Sequence, residues 1–168
     1  MHGSTERERY PNEVDLKIRH CTTDDAAAIA TFVSRLATEH IACSLGDGGL
    51  DALLTSMTPS ATRQRLVDGW PHMGAFDGND LAGIVVVKPP THLYHLFVRT
   101  DLQRTGLGRK LLMIADDWSL RTTGVPLATV NASLNTVVVY DRLEFASDGP
   151  IVDNDGVRYQ PMVRRKDR

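Results

Sequence analysis

Two glycines, a group of cations and the apolar run before them carry the clearest chemistry in the chain. In Gln103-Arg104-Thr105-Gly106-Leu107-Gly108-Arg109-Lys110, the glycines remove Cβ atoms that would hold a ligand away from the backbone. Apolar residues at helical spacing follow, including Leu107, Leu111 and Leu112. The first-turn amides of such a helix lack intrahelical partners and lie at the positive end of its dipole, so they can grip an anion. Arg104, Arg109 and Lys110 stand where the dipole alone would favour acidic residues. A bound polyanion accounts for that inversion.

Two nucleotide-binding loops are excluded on residues. The P-loop pattern G-x-x-x-x-G-K-[ST] is absent, because Lys110 follows Gly108 by two positions and is itself followed by Leu111. The dinucleotide fingerprint needs a third glycine or alanine where Leu111 stands.

The elements that must position this loop are legible around it. Leu93 to Val98 is rich in β-formers and reads as part of a strand over 91–98. The helix runs from about Gly106 to Leu120 and ends at Thr122-Thr123-Gly124. Earlier, Val14, Leu16 and Ile18 alternate with charged residues as a half-buried strand. Thr22-Thr23-Asp24-Asp25 supplies cap candidates for a helix from Ala26 to Thr38. Two short helices are expected between Glu39 and Asp68, around the Gly46-Asp47-Gly48-Gly49 break. Asp77-Gly78-Asn79-Asp80 joins two apolar runs as a hairpin turn. After Gly124, Val125 to Val130 reads as a strand, Asn131 to Asn135 as a turn, and Thr136 to Leu143 as a helix or strand. Its Val137-Val138-Val139 run favours a strand on propensity alone. The segments around Asp153-Asn154-Asp155-Gly156 read as a closing hairpin.

The glycine loop resembles the acyl-CoA signature of the GNAT superfamily of N-acetyltransferases, Gln/Arg-x-x-Gly-x-Gly/Ala between a strand and a helix. Ser133 to Phe145 resembles a second family signature: Asn135, Tyr140, Leu143 and Phe145 match it, while Thr136, Val139 and Glu144 depart from its Ala, Phe and Gly. The resemblance implies that residues 136–143 are helical and that the fold is an α/β GNAT fold, a mixed, mostly antiparallel sheet with helices on both faces. It further implies acetyl-CoA as cofactor, held by Gln103, Arg104, Thr105, Gly106, Leu107, Gly108, Arg109 and Lys110 at its pyrophosphate. Backbone groups of Leu96, Phe97 and Val98 would meet its pantetheine arm, with Asn131 and Asn135 as further contacts or as helix caps.

The implied reaction is transfer of an acetyl group to an amine of a small molecule or peptide, with Tyr140 in the family's general-acid position. The reference pKa values of a phenol and a thiol lie within about 1.5 units, close to balance. For the base, strict alternation puts His92, Tyr94 and Leu96 on one strand face and Leu93, His95 and Phe97 on the other. His92 is the nominee, directly or through water, with Tyr94 lining its pocket; a bulge would turn His95 toward the site instead. Glu39, His40 and Cys43 are candidate acceptor contacts, and Asp47 and Asp51 could attract a cationic amine. A non-catalytic acyl-CoA sensor is the alternative from another class.

Composition bounds the rest. The 168 residues, 42% hydrophobic and 24% charged, suit one domain over 14–168 after a flexible leader over 1–13. A net charge of -2 argues against bulk nucleic-acid binding. Cys21 and Cys43 have no metal-site spacing and read as reduced thiols, so no metal is expected. No apolar stretch is long enough to span a bilayer, and the charged start lacks a signal-peptide core. These features point to a cytoplasmic protein without membrane contact, and relatives of the resembled family suggest a homodimer.

Overall fold

The computed structural model describes residues 15–166; the expected leader and Val14 lie outside them. Its strands are β1 (Leu16–His20), β2 (His72–Asp77), β3 (Asp80–Lys88), β4 (His92–Val98), β5 (Thr129–Ser133), β6 (Phe145–Ser147), β7 (Val152–Asn154) and β8 (Val157–Arg164). Helices α1 (Ala26–His40), α2 (Gly49–Thr55), α3 (Pro59–Val67), α4 (Leu107–Thr123) and α5 (Val137–Arg142) complete it. The sheet order is β1-β2-β3-β4-β5-β8-β6, with β7 pairing β8, and every pairing is antiparallel except β4 with β5.

Local chemistry starts the elements where the sequence predicts. At the entrance to α1 the Thr22 amide donates to the Asp25 carboxylate at 2.7 Å and the Asp25 amide returns to the Thr22 carbonyl at 2.9 Å. Gly124 ends α4 in the left-handed region at φ 83°.

β3 is the middle of the molecule. Leu81 through Val87 are all buried, because helices cover both faces of this strand. Ala82, Val85 and Val87 join Leu93, Leu111, Leu112, Ala115 and Phe145 beneath α4 and α5. Leu81, Ile84 and Val86 join Ile29, Phe32, Leu36 and Met57 beneath α1–α3. A Cβ at Gly83 would stand 2.9 Å from Leu111 Cδ1, so a glycine there lets α4 lie directly on β3. Leu111 is fully buried, which contributes about 2 kcal/mol.

Three features depart from the sequence reading. The strand expected over 125–130 begins only at Thr129, and Asn131 lies inside it rather than in a turn. Pro126 has no amide to donate to a ladder. The next amide, Leu127, is taken by the Asp116 carboxylate at 3.1 Å, and the Leu127 carbonyl by Arg164 Nε at 3.1 Å. Side chains therefore hold Leu127, and backbone bonds resume only at Ala128, whose amide donates to the Thr91 carbonyl and whose carbonyl accepts from the Arg164 amide, both at 2.8 Å. The second is β6, which no expectation covered: three residues that pair with Arg164, Val163 and Met162 of β8. Its shortness gives no periodicity to read.

The third concerns β4. Val86 opposes His95 while the adjacent Val87 opposes Leu93, so Tyr94 is an extra, bulged residue. The expected alternation is broken: Leu93, Leu96 and Val98 lean toward α4, and Tyr94 and Phe97 toward α1–α3. As the cross-strand neighbour of Val86, His95 also belongs to the α1–α3 side.

Residues 137–142 are helical, as the resemblance implies and against the propensity of the valine run. Glu144 follows at φ 71°. The chain thus leaves α5 through the left-handed conformation that a glycine would adopt, with a Cβ in place.

Candidate active site

The parallel ladder between β4 and β5 consists of two pairs, His92 with Thr129 and Leu93 with Val130. Beyond them the strands part, and a gap opens toward the glycine loop. The Arg99 amide donates to the Ala82 carbonyl of β3 at 2.8 Å. Polar groups of successive residues alternate in direction along an antiparallel ladder, so those of Val98 and Leu96 turn away from β3, into the gap. The Val98 carbonyl accepts from the Gln103 side-chain amide at 3.3 Å. That weak contact occupies an acceptor with no strand partner.

The loop itself is Thr100–Leu102 as a 3-10 turn, then Arg104 at φ 63° and Gly106 at φ 90°. Between the Gln103 amide, bonded to the Thr100 carbonyl, and the Lys110 amide, bonded to the Gly106 carbonyl, no amide finds a backbone partner. Gly106 is required by its own conformation. Gly108 is different: it is not at positive φ, and a Cβ there would meet only Val98 Cγ2, at 3.7 Å. Nothing within the chain demands a glycine at 108, which leaves close approach of a ligand as its physical reason.

Arg104 and Arg109 supply exposed positive charge, and Arg109 Nη2 reaches the Arg142 carbonyl at 3.4 Å. Lys110 instead lines a shallow groove of about 330 Å³ with Leu16, Ile18 and Ile114, beside the edge strand β1. Thr105 folds its hydroxyl onto the Leu102 carbonyl at 2.5 Å, and Leu107 is buried in the core, so both can offer only backbone to a ligand.

Tyr140 lies in the core beneath α4, edge-on to Phe145 at 6.0 Å, and its hydroxyl bonds no described residue. Burial pushes its pKa above the ordinary phenol value. The near match with a thiol expected from reference values does not hold here; the phenol keeps its proton more firmly.

The histidines divide by position. His92 sits at the closed end of the gap, its Nδ1 2.8 Å from Thr129 Oγ1, with burial and then Lys88 lowering its pKa. His95 lies in mid-strand beside Tyr94, the ring centroids 4.3 Å apart. Its Nε2 has neither solvent nor a partner, and burial, with Arg65 and His72 nearby, pushes its pKa down to about 3. Tyr94 is held by Arg65, whose Nη2 donates to its hydroxyl at 3.0 Å. His40, at the end of α1, spans the mouth of the gap. Its Nε2 lies 2.8 Å from Thr100 Oγ1 beyond β4, and its carbonyl accepts from the Asn135 side chain beyond β5. Asn135 therefore ties α1 to the exit of β5, while Asn131 is exposed on the face away from α4.

The sequence reading missed Arg65 and Thr129. A cation on a helix whose neighbours Thr62 and Leu66 turn inward is the one available sign of the first; the partner of His92, 37 residues away, leaves none.

A parted β4/β5 pair above a glycine loop at a helix N-terminus defines an acyl-CoA transferase architecture. The model of the acetyltransferase (GNAT) domain matches residues 41–166, and the chain belongs to that family; it is an acyltransferase. Among solved structures, a GCN5-related N-acetyltransferase from Rhodopseudomonas palustris superposes with a TM-score of 0.72 at 18% identity, over 88% of this chain and 94% of that one. The PaiA N-acetyltransferase from Thermoplasma acidophilum, in complex with coenzyme A, gives 0.70 at 14%, over 90% and 99%. A ribosomal-protein-S5-alanine acetyltransferase from Vibrio fischeri gives 0.55 at 16%, over 89% and 92%. At these identities the likeness is one of fold. No curated protein matches the sequence significantly.

Proposed function

We propose that the protein transfers the acetyl group of acetyl-CoA to a primary amine of a small molecule or peptide by direct attack. The observation that carries this reading is the parting of β4 from β5, which leaves the outward backbone groups of Leu96 and Val98 without a strand partner above a loop of free amides at Gly106 and Gly108. The residues present fit the cofactor. Loop amides with Gln103, Arg104 and Arg109 would hold its phosphates, and the strand edge would take its amide-bearing arm. When bound, it supplies an activated acyl group and a thiol leaving group.

The chain's own part is proton management. Tyr140, neutral across the physiological range, holds a proton for the departing sulfur. His92, its orientation fixed by Thr129, takes the proton of the incoming amine directly or through water; its lowered pKa keeps it neutral and able to accept. No described helix is long and apolar enough to cross a membrane, and we read the enzyme as cytoplasmic, with Cys21 and Cys43 as free thiols.

Calorimetric titration with acetyl-CoA, CoA and ATP on wild type and Gly106→Glu tests the cofactor, and thiol release across an amine panel tests the transfer. Saturable binding of both CoA forms, abolished by the glutamate, and thiol release dependent on an amine are expected. Binding indifferent to the substitution would refute the reading.

A further inference from the structure

The α1–α3 side of β4 carries positive charge that the fold does not neutralise. Arg65 of α3 lies 4.8 Å from the Tyr94 ring centroid and 5.7 Å from that of Trp70. Its Nη2 is committed to the Ser56 carbonyl at 2.6 Å and to the Tyr94 hydroxyl at 3.0 Å. Nε and Nη1 donate to no described residue. Lys88, at the end of β3, holds its ammonium 5.9 Å from the same Trp70 ring. Among the described residues every ion pair is made by other groups.

A guanidinium half removed from water ordinarily has an anionic partner, since its desolvation is otherwise uncompensated; two aromatic faces offset only part of the loss. The histidines do not add to the charge. Burial keeps the pKa values of His72, His92 and His95 below the ordinary value. Beside this group stands the orphaned His95 Nε2, in a ring packed against Tyr94 at 4.3 Å. Buried polar atoms without a partner are rare. A part-buried cation with spare donors and a ring nitrogen without a partner therefore stand on the face opposite α4. Tyr94 is the first β4 residue beyond the β4–β5 ladder, so the cluster borders the closed end of the gap.

We propose that this cluster is a carboxylate subsite for the acceptor, so that the amine acetylated belongs to an amino acid: Arg65 receives the carboxylate, Lys88 supplies outer charge, and Tyr94 and Trp70 pack against the carbon chain. The proposal rests on the acetyltransferase reading above. One part-buried guanidinium, with the exposed Lys88 ammonium outside it, matches a singly charged carboxylate at the point of contact rather than a phosphate.

The test uses three amino acids with different spacing between amine and carboxylate: phenylalanine, 4-aminobutyrate and 6-aminohexanoate. Each is compared with the amine left when its carboxyl is replaced by hydrogen: phenethylamine, propylamine and pentylamine. Phosphoethanolamine against ethanolamine adds the phosphate. Binding in the presence of CoA is read from Trp70 fluorescence in a Trp118→Phe background, since the chain has two tryptophans. Turnover is read from thiol release.

At least one acid should bind and react about 10- to 100-fold better than its plain amine, the effect of one charge-assisted hydrogen bond. Arg65→Met should erase that preference, Arg65→Lys restore part of it, and both should bind acetyl-CoA as wild type does. Should Arg65→Met fail to fold, exposed Lys88→Met still reports, through a weaker and salt-dependent loss of the acid preference. Acids no better than their plain amines, a preference for the phosphate, or a preference that survives Arg65→Met would overturn the subsite. Thiol release with plain amines alone would keep the transferase and sink the subsite; saturable binding of the acids with no thiol release would do the reverse.

Discussion

Gly106 and Gly108 stand two residues apart in one loop, and substituting them should separate conformation from ligand contact. Gly106 adopts φ 90° with nothing near its missing Cβ. An alanine there fits sterically but must hold a left-handed backbone, at a cost of about 1–2 kcal/mol. For a domain of this size each kcal/mol moves Tm by about 2–4 °C, so Gly106→Ala should melt about 2–8 °C lower. Gly108→Val meets no such strain. Its Cβ would stand 3.7 Å from Val98 Cγ2, an ordinary contact, and valine is favoured over glycine in a helix by about 0.4 kcal/mol. Its stability should stay within about 1 kcal/mol of wild type.

Binding should show the opposite order. The valine side chain fills the space from which a phosphate would approach the first-turn amides. Loss of a single charge-assisted hydrogen bond there weakens binding at least about 10-fold. Gly106→Ala, with that space still open, should lose far less. Thermal unfolding without ligand and calorimetry with CoA give the two numbers for each variant. If Gly108→Val binds CoA as wild type does, the ligand-approach account of that glycine is wrong, and the loop is a structural turn.

Tyr140→Phe removes only a hydroxyl that bonds no described residue, so stability and CoA affinity should hold while kcat for amine acetylation falls about 100-fold; an unchanged kcat would remove Tyr140 from the chemistry. His72, His92 and His95 all have pKa values below those of the unfolded chain. Their contribution to stability is therefore complete above the ordinary value near 6.5 and is lost as pH falls toward the folded values. For His95, pushed down to about 3, the loss between pH 6.5 and 5 reaches about 2 kcal/mol. Urea unfolding at the two pH values should show it, and His95→Phe should flatten the dependence; an equally steep profile in that variant refutes the assignment. Asp116→Ala strands both the Leu127 amide and Arg164, and should cost about 3 kcal/mol in the same urea assay. A loss under 1 kcal/mol would mean that the Asp116 carboxylate is not what holds Leu127 and Arg164.

What the sequence by itself determined was set by neighbours along the chain. The Thr22–Asp25 cap, the Asp77–Asp80 turn, the alternation of Leu16 and Ile18, and the paired glycines each act within a few residues, where covalent geometry and local hydrogen bonding leave few alternatives. The departure of Glu144 from glycine was visible in the same way, and the backbone kept its left-handed turn there despite the side chain.

The tertiary structure decided what depends on strangers in sequence. The bulge at Tyr94 exists because Val86 and Val87 pair with His95 and Leu93, and it alone decides which β4 side chains share the α1–α3 face. The late start of β5 depends on Asp116 and Arg164 capturing Leu127. The mouth of the gap is tied by Asn135 and His40, 95 residues apart, and Tyr94 is held by Arg65, 29 residues away. A side chain's local pattern cannot encode such partners, because the energy that selects them comes from burial and hydrogen bonding formed only once distant segments have packed together.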